Sequence, residues 1–234
     1  MIDPISISEA AESLRLSSAR VRALASQGQL PAEKIGHRWL IERGAVEQRR
    51  RSQAPRGRRF TTQNAWALLL LASGEETPQL DPSVRSRLRR ALALEGLAAL
   101  APRLRDRSQV TAYSAHPGEI PYLLEDKALV PSGINAASSM GIGLLAGREA
   151  DGYLAQSQVQ RFIDRHALSP AGIDGRVRLR VVPDSAWQNL AGRSIAPPAA
   201  VALDLADEPD PRSKTAGERL VRQIDRRRTR PKGR

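Results

Sequence analysis

The sequence contains no cysteine, which excludes a disulfide scaffold, a cysteine-ligated zinc site and a thiol nucleophile. Histidine is nearly as scarce. The three present, His37, His116 and His166, are too scattered along the chain to suggest a ligand cluster. Aromatic residues amount to 3%, and only four of the 37 basic residues are lysine, so arginine abundance by itself says little. No apolar run approaches the roughly 18 residues of a membrane span; the longest, at 65–72, is far shorter. The first 13 residues are polar and acidic, unlike a secretion signal, so a cytoplasmic location is expected. There is no phosphate loop ahead of Lys-Ser/Thr, no Gly-x-Ser-x-Gly and no His-Glu-x-x-His. Gly141-Ile142-Gly143 with Gly147 has the spacing of a dinucleotide loop but lacks the preceding strand. The expectation is a protein that is not an enzyme, with no cofactor and no metal.

At 41% hydrophobic, the 234 residues can still bury a core, as one large domain or two small ones. The net charge of +12 is unevenly placed. Residues 1–60 carry 12 basic and 6 acidic groups, residues 61–210 carry 15 and 17, and residues 211–234 carry 10 and 2. The ends are therefore +6 and +8 and the body is −2. Such asymmetry points to anion contacts at the two ends.

The first fifty residues have a definite pattern. Ser8 is placed to cap a short helix with Glu9 in its first turn and Ala10, Ala11 and Leu14 on one face. Ser17 follows as the cap of a second helix, with Val21, Leu24 and Ala25 inward and Gly28 at the expected left-handed stop. Two short helices joined by a tight turn form a helix-turn-helix pattern. Residues 33–35 and 38–41 then read as strands around a Gly36-His37 tip, a small wing, and a third helix is expected at 43–51.

Together, Glu9-Ala10-Ala11, Val21-Arg22, Gly28-Gln29-Leu30-Pro31 and Gly36-His37-Arg38-Trp39-Leu40-Ile41 resemble the excisionase and MerR-like winged helix-turn-helix family over about residues 5–50. The resemblance implies that the second helix enters the major groove, N-terminal half toward base edges. With Val21, Leu24 and Ala25 inward, Arg20 and Arg22 face out and can address guanine edges or phosphates. Ser17 and Ser18 offer hydroxyls and helix-terminal amides to a phosphate. His37 and Arg38 at the wing tip, with Lys34, are expected near the minor groove or backbone, and Trp39 in the wing core.

Residues 1–51 thus form the expected DNA-binding domain, and 52–60 a basic linker. Six arginines lie between positions 49 and 59, broken by Pro55 and Gly57. Arg56, Arg58 and Arg59 are expected to track phosphates without reading sequence. Residues 61–225 read as an α+β domain, with a second winged-helix-like part allowed at 61–116, and 226–234 as a basic tail. Thr62 and Asp81-Pro82 are expected helix starts, and a further helix is expected at 97–104. Strands are expected at 110–115, 152–154, 176–182 and 199–205, with helices at 120–125, 156–166 and 213–225. Asp204 and Asp207, placed at the end of that last strand, are weighed as nuclease-like metal ligands without a supporting Glu-x-Lys.

The order of a DNA-binding unit, a helical segment and an α+β domain resembles AbiE-type antitoxins over about residues 60–226. The matching residues are Val201-Ala202-Leu203-Asp204-Leu205, Asp210-Pro211-Arg212-Ser213 and Leu220, with the 177–182 strand and Pro183. The N-terminal unit departs from that family's usual winged helix. The resemblance implies a repressor of its own operon that counters a nucleotidyltransferase toxin. The expected fold is therefore α+β, a winged helix-turn-helix followed by a larger mixed domain, binding double-stranded DNA, with homodimerisation open. The rivals are an excisionase-like protein that bends DNA and a DNA-targeted nuclease.

Overall fold

The computed structural model describes residues 4–14, 16–28, 30–36, 38–46, 58–77, 80–144, 147–171 and 175–229. The chain divides into two compact units, Met1–Arg56 and Gly57–Arg234.

In the first unit β1 (Pro4–Ser6) leads into α1 (Ile7–Leu14). Its cap is Ser6, two residues before the expected Ser8. Ser6 Oγ accepts from the Glu9 amide at 3.2 Å, and Glu9 Oε2 accepts from the Ser6 amide at 2.7 Å. Ser6-x-x-Glu9 is a reciprocal capping box that satisfies two orphan donors, which Ser8 alone cannot do. The Ser6 amide and hydroxyl hold the Glu9 carboxyl below its ordinary pKa. α2 (Ser18–Ser26) follows, capped by Ser17 as expected, and Gly28 takes φ +68°. β2 (Ala32–Ile35) and β3 (Arg38–Glu42) form an antiparallel hairpin, and β1 pairs with the far side of β3. Three-residue β1 carries too short a pattern to be read from sequence. The core joins Ile5, Ala10, Leu14, Val21, Leu24 and Ile41. Of the third helix, residues 43–46 are helical; 47–51 lie outside the described residues.

The second unit begins with α3 (Thr62–Ala72), capped by Thr61 rather than Thr62, and α4 (Pro82–Leu100), capped by Asp81 as expected. The helix expected at 97–104 is instead the end of α4 beyond a break, followed by 3₁₀ turns at Ala101–Arg107. The break is at Gly96, at φ +76° and ψ 163°, a conformation open to glycine. Asp225, 128 residues on, accepts from the Leu97 amide at 2.7 Å and so caps the restarted turn.

Next come β4 (Gln109–Ser114), α5 (Ile120–Glu125), β5 (Val130–Pro131), α6 (Gly133–Ser139), β6 (Ala150–Ala155), α7 (Val159–Arg165), β7 (Ser169–Pro170) and β8 (Val177–Val182). The helix expected from 156 opens with a 3₁₀ turn, Gln156–Gln158, before α7. The five strands form one sheet in the order β5-β6-β8-β4-β7, with only β6 and β8 parallel. β4 therefore finds its partners at β8 and β7, far along the chain, rather than in a local wing. α8 (Asp184–Trp187), α9 (Pro198–Ala206) and α10 (Pro211–Thr229) complete the unit.

The expected strand at 199–205 is thus helix α9. All seven residues from Ala199 to Leu205 are buried, so no face stays polar and no period shows. A continuous apolar run does not separate a buried strand from a buried helix. Pro198 in the first turn and an alanine-rich interior decide for the helix. Both faces of the sheet are covered. Ala150, Leu154, Val177 and Leu179 meet Leu123 of α5 and Phe162 of α7, while Tyr153 and Val182 meet the α3, α4, α9 and α10 cluster.

Candidate nucleic-acid interface

The surface of α2 follows from its packing. Val21 and Leu24 are fully buried because they close the core over α1 and the small sheet, and Ala25 is nearly so. At 100° per residue this leaves Ser18, Ala19, Arg20 and Arg22 on the outer face, and all four are exposed. The two guanidinium groups therefore project from the N-terminal half of the helix. Ser17 is exposed as well, and its hydroxyl oxygen accepts from the Arg20 amide at 3.2 Å. That bond uses one lone pair and leaves the hydroxyl proton to donate. The helix-dipole end lies at the same place, so an anion meets two donors and a positive potential there.

The β2–β3 hairpin is tight. Ile35 pairs with Arg38, and Gly36 takes φ +61°, as the first position of a primed hairpin turn requires. Lys34 is exposed on β2 opposite Trp39, which is half-buried. Arg38 opens β3. His37 and Arg56 lie outside the described residues. Arg58 and Arg59 belong to the second unit. Arg58 is exposed, and Arg59 pairs with Asp106 at 2.8 Å, both about half exposed. Ser17, Ser18, Arg20, Arg22 and Lys34 thus share the first unit, whereas Arg58 and Arg59 do not.

Residues 5–54 match the family described as a helix-turn-helix domain. No curated protein and no solved structure matches the chain. The matched stretch takes in β1 through residue 46 of the described structure, and a helix-turn-helix domain there points to DNA binding.

The second unit corrects the reading of Asp204 and Asp207. Asp204 is fully buried on α9, and both its oxygens are occupied. Oδ1 accepts from Arg107 at 2.7 Å and from the Tyr153 hydroxyl at 3.0 Å; Oδ2 accepts from Ser132 at 2.5 Å. Arg180 lies 3.1 Å from the same carboxylate, and Asp207 accepts from Arg107 at 2.9 Å. Two guanidinium groups stand where a metal would need open lone pairs. Among the described residues no His, Asp and Glu group is placed to hold a metal ion. Burial pushes the Asp204 pKa up, but Arg180, Arg107 and the Ser132 hydroxyl outweigh it and hold it below the ordinary value.

The arginines of β8 complete this network. Arginine alternates with apolar residues along this strand, and Arg180 is 2% exposed and makes a bidentate pair with Asp151 at 2.7 and 2.8 Å. Arg178 pairs with Glu208. Burial raises the Glu208 pKa against the pull of Arg178. Nothing local signals these pairs, whose partners lie 24 to 100 residues apart. The remaining histidines are structural. His116 caps a 3₁₀ turn through Gly118 N, and His166 is buried between Glu119 at 2.7 Å and Asp126 at 3.1 Å.

Proposed function

We propose that this chain is a sequence-specific DNA-binding transcriptional repressor, with α2 in the major groove and the β2–β3 hairpin acting as a wing beside it. The observation that carries this reading is the placement of Arg20 and Arg22. Both are exposed on the N-terminal half of a helix whose opposite side is locked into the core of a matched helix-turn-helix domain. An arginine fork addresses O6 and N7 of guanine together, which reads sequence, whereas Ser17, Ser18 and Lys34 suit phosphate oxygens and fix register. His37 and Arg38 are proposed at the wing tip, with Arg56 and Arg58 adding phosphate contacts. Arg59 is the weaker candidate, because Asp106 already holds it.

Footprinting on DNA upstream of the gene tests the reading. Protection of a discrete site that persists in excess non-specific duplex supports it; protection without a preferred site contradicts it. Two symmetry-related protected half-sites would show that a homodimer binds.

The finer role, an autoregulating antitoxin that counters a nucleotidyltransferase toxin, rests on resemblance alone. The resemblance needs a terminal strand at 201–205, and that segment is helix α9. Co-expression with a neighbouring nucleotidyltransferase tests it, growth rescue being the supporting result. An excisionase-like role predicts strong bending of the bound duplex in a circular-permutation assay.

A further inference from the structure

Helix α10 has two unlike sides. Ser213, Gly217, Val221 and Ile224 are buried, at helical spacings of four, four and three. Gly217 marks how closely this side approaches α9: a Cβ there would fall 2.2 Å from the Ala206 nitrogen. Asp225 turns toward the break in α4. On the opposite flank Thr215, Arg219, Arg222 and Arg226 recur at spacings of four, three and four, and all four are exposed. They form one stripe.

Glu218 borders the stripe and reaches Arg222 at 3.9 Å, with both side chains about half exposed. An exposed pair at that distance contributes little. Like charges at these spacings oppose the helix, a penalty the C-terminal dipole only partly relieves. In sequence the stripe runs on into Arg227, Arg228, Arg230, Lys232 and Arg234, and residues 211–234 carry +8 against −2 for residues 61–210. In sequence, the net positive charge of the second unit is therefore concentrated in residues 211–234.

A rod of guanidinium forks spaced by about 5 Å along its axis suits a regular polyanion, and each fork can hold a phosphate with two hydrogen bonds. The same chain carries a helix-turn-helix domain, so tethering holds α10 near duplex DNA at a high effective concentration. We propose that the Arg219–Arg222–Arg226 stripe of α10 is a second, sequence-independent DNA contact on the phosphate backbone. This rests on the reading that the first unit binds DNA.

The test measures binding of full-length protein to duplex DNA across a salt series. R219Q/R222Q should lower the slope of log affinity against log salt by about 2, since each phosphate contact contributes about 0.9. R219K/R222K, which keeps the charge, should restore it. K127Q/R161Q removes two exposed charges elsewhere on the same unit and should leave the slope unchanged. Equal slopes for wild type and R219Q/R222Q overturn the proposal and direct the stripe to an acidic protein face. An equal fall in both glutamine variants overturns it too, by reducing the effect to net charge. The two readings fail separately. A wild-type protein with no preferred sequence, but a slope lost in R219Q/R222Q, removes the specific reader and keeps the stripe.

Discussion

Arg107, Arg180, Asp151 and Asp204 show what single residues do in the second unit. Each is nearly or fully buried, and each charge is tolerated because an opposite charge touches it. Burial lowers the pKa of Arg107, but Asp204, Tyr153 and Asp207 more than reverse this; the Tyr153 hydroxyl is pushed up by burial and by Asp204. Removing one partner strands the others. Asp204→Ala should therefore destabilise the second unit by about 3–5 kcal/mol in urea denaturation. The pH dependence has a definite sign. The folded pKa of Asp204 lies below its unfolded value of about 3.9, so its contribution is present above that pH and disappears as pH falls through the folded pKa. Acid titration of the wild type should show a loss of stability below about pH 4 that is reduced in Asp204→Asn. None of this was legible in the sequence, because the partners lie on separate elements and meet only once the sheet and α9 have packed.

At the scale of elements, legibility followed the strength of local signals. α2 was readable because a cap, an inner face and a terminal glycine agree within twelve residues, Ser17, Val21, Leu24, Ala25 and Gly28. α9 was misread because a helix buried on every side loses the period that distinguishes it. The end of α4 was misread because its second start is capped from another helix. Asp225→Ala removes the acceptor for Leu97 and Ala98 and should cost about 1–2 kcal/mol of second-unit stability. In the first unit Ser6→Ala breaks the capping box and should cost about 1 kcal/mol. The exposed face of α2 was legible as well, since the buried positions dictate it. His37 and Arg56 lie outside the described residues.

For the whole molecule, the two units differ in what they bury and in the charge they carry. The first unit has its own small core, and the second a sheet covered on both faces. Independent cores predict two calorimetric transitions. Ser6→Ala should move one and Asp204→Ala the other; a single transition moved by both would show that the units unfold together. The net charge of +12 likewise separates into parts. Arg20, Arg22 and Lys34 are exposed in the first unit, arginines 219, 222 and 226 line α10, and Arg107 and Arg180 are neutralised inside. The central claim is that α2 reads bases, and the most direct measurement compares wild type with Arg22→Ala. Affinity is measured on a site recovered from a randomised duplex pool and on a scrambled duplex, at one salt concentration. The site affinity should fall by about 1–3 kcal/mol in Arg22→Ala while the scrambled affinity changes far less. An unchanged preference for the site, or an equal fall on both duplexes, would contradict the assignment of α2 as the reading helix.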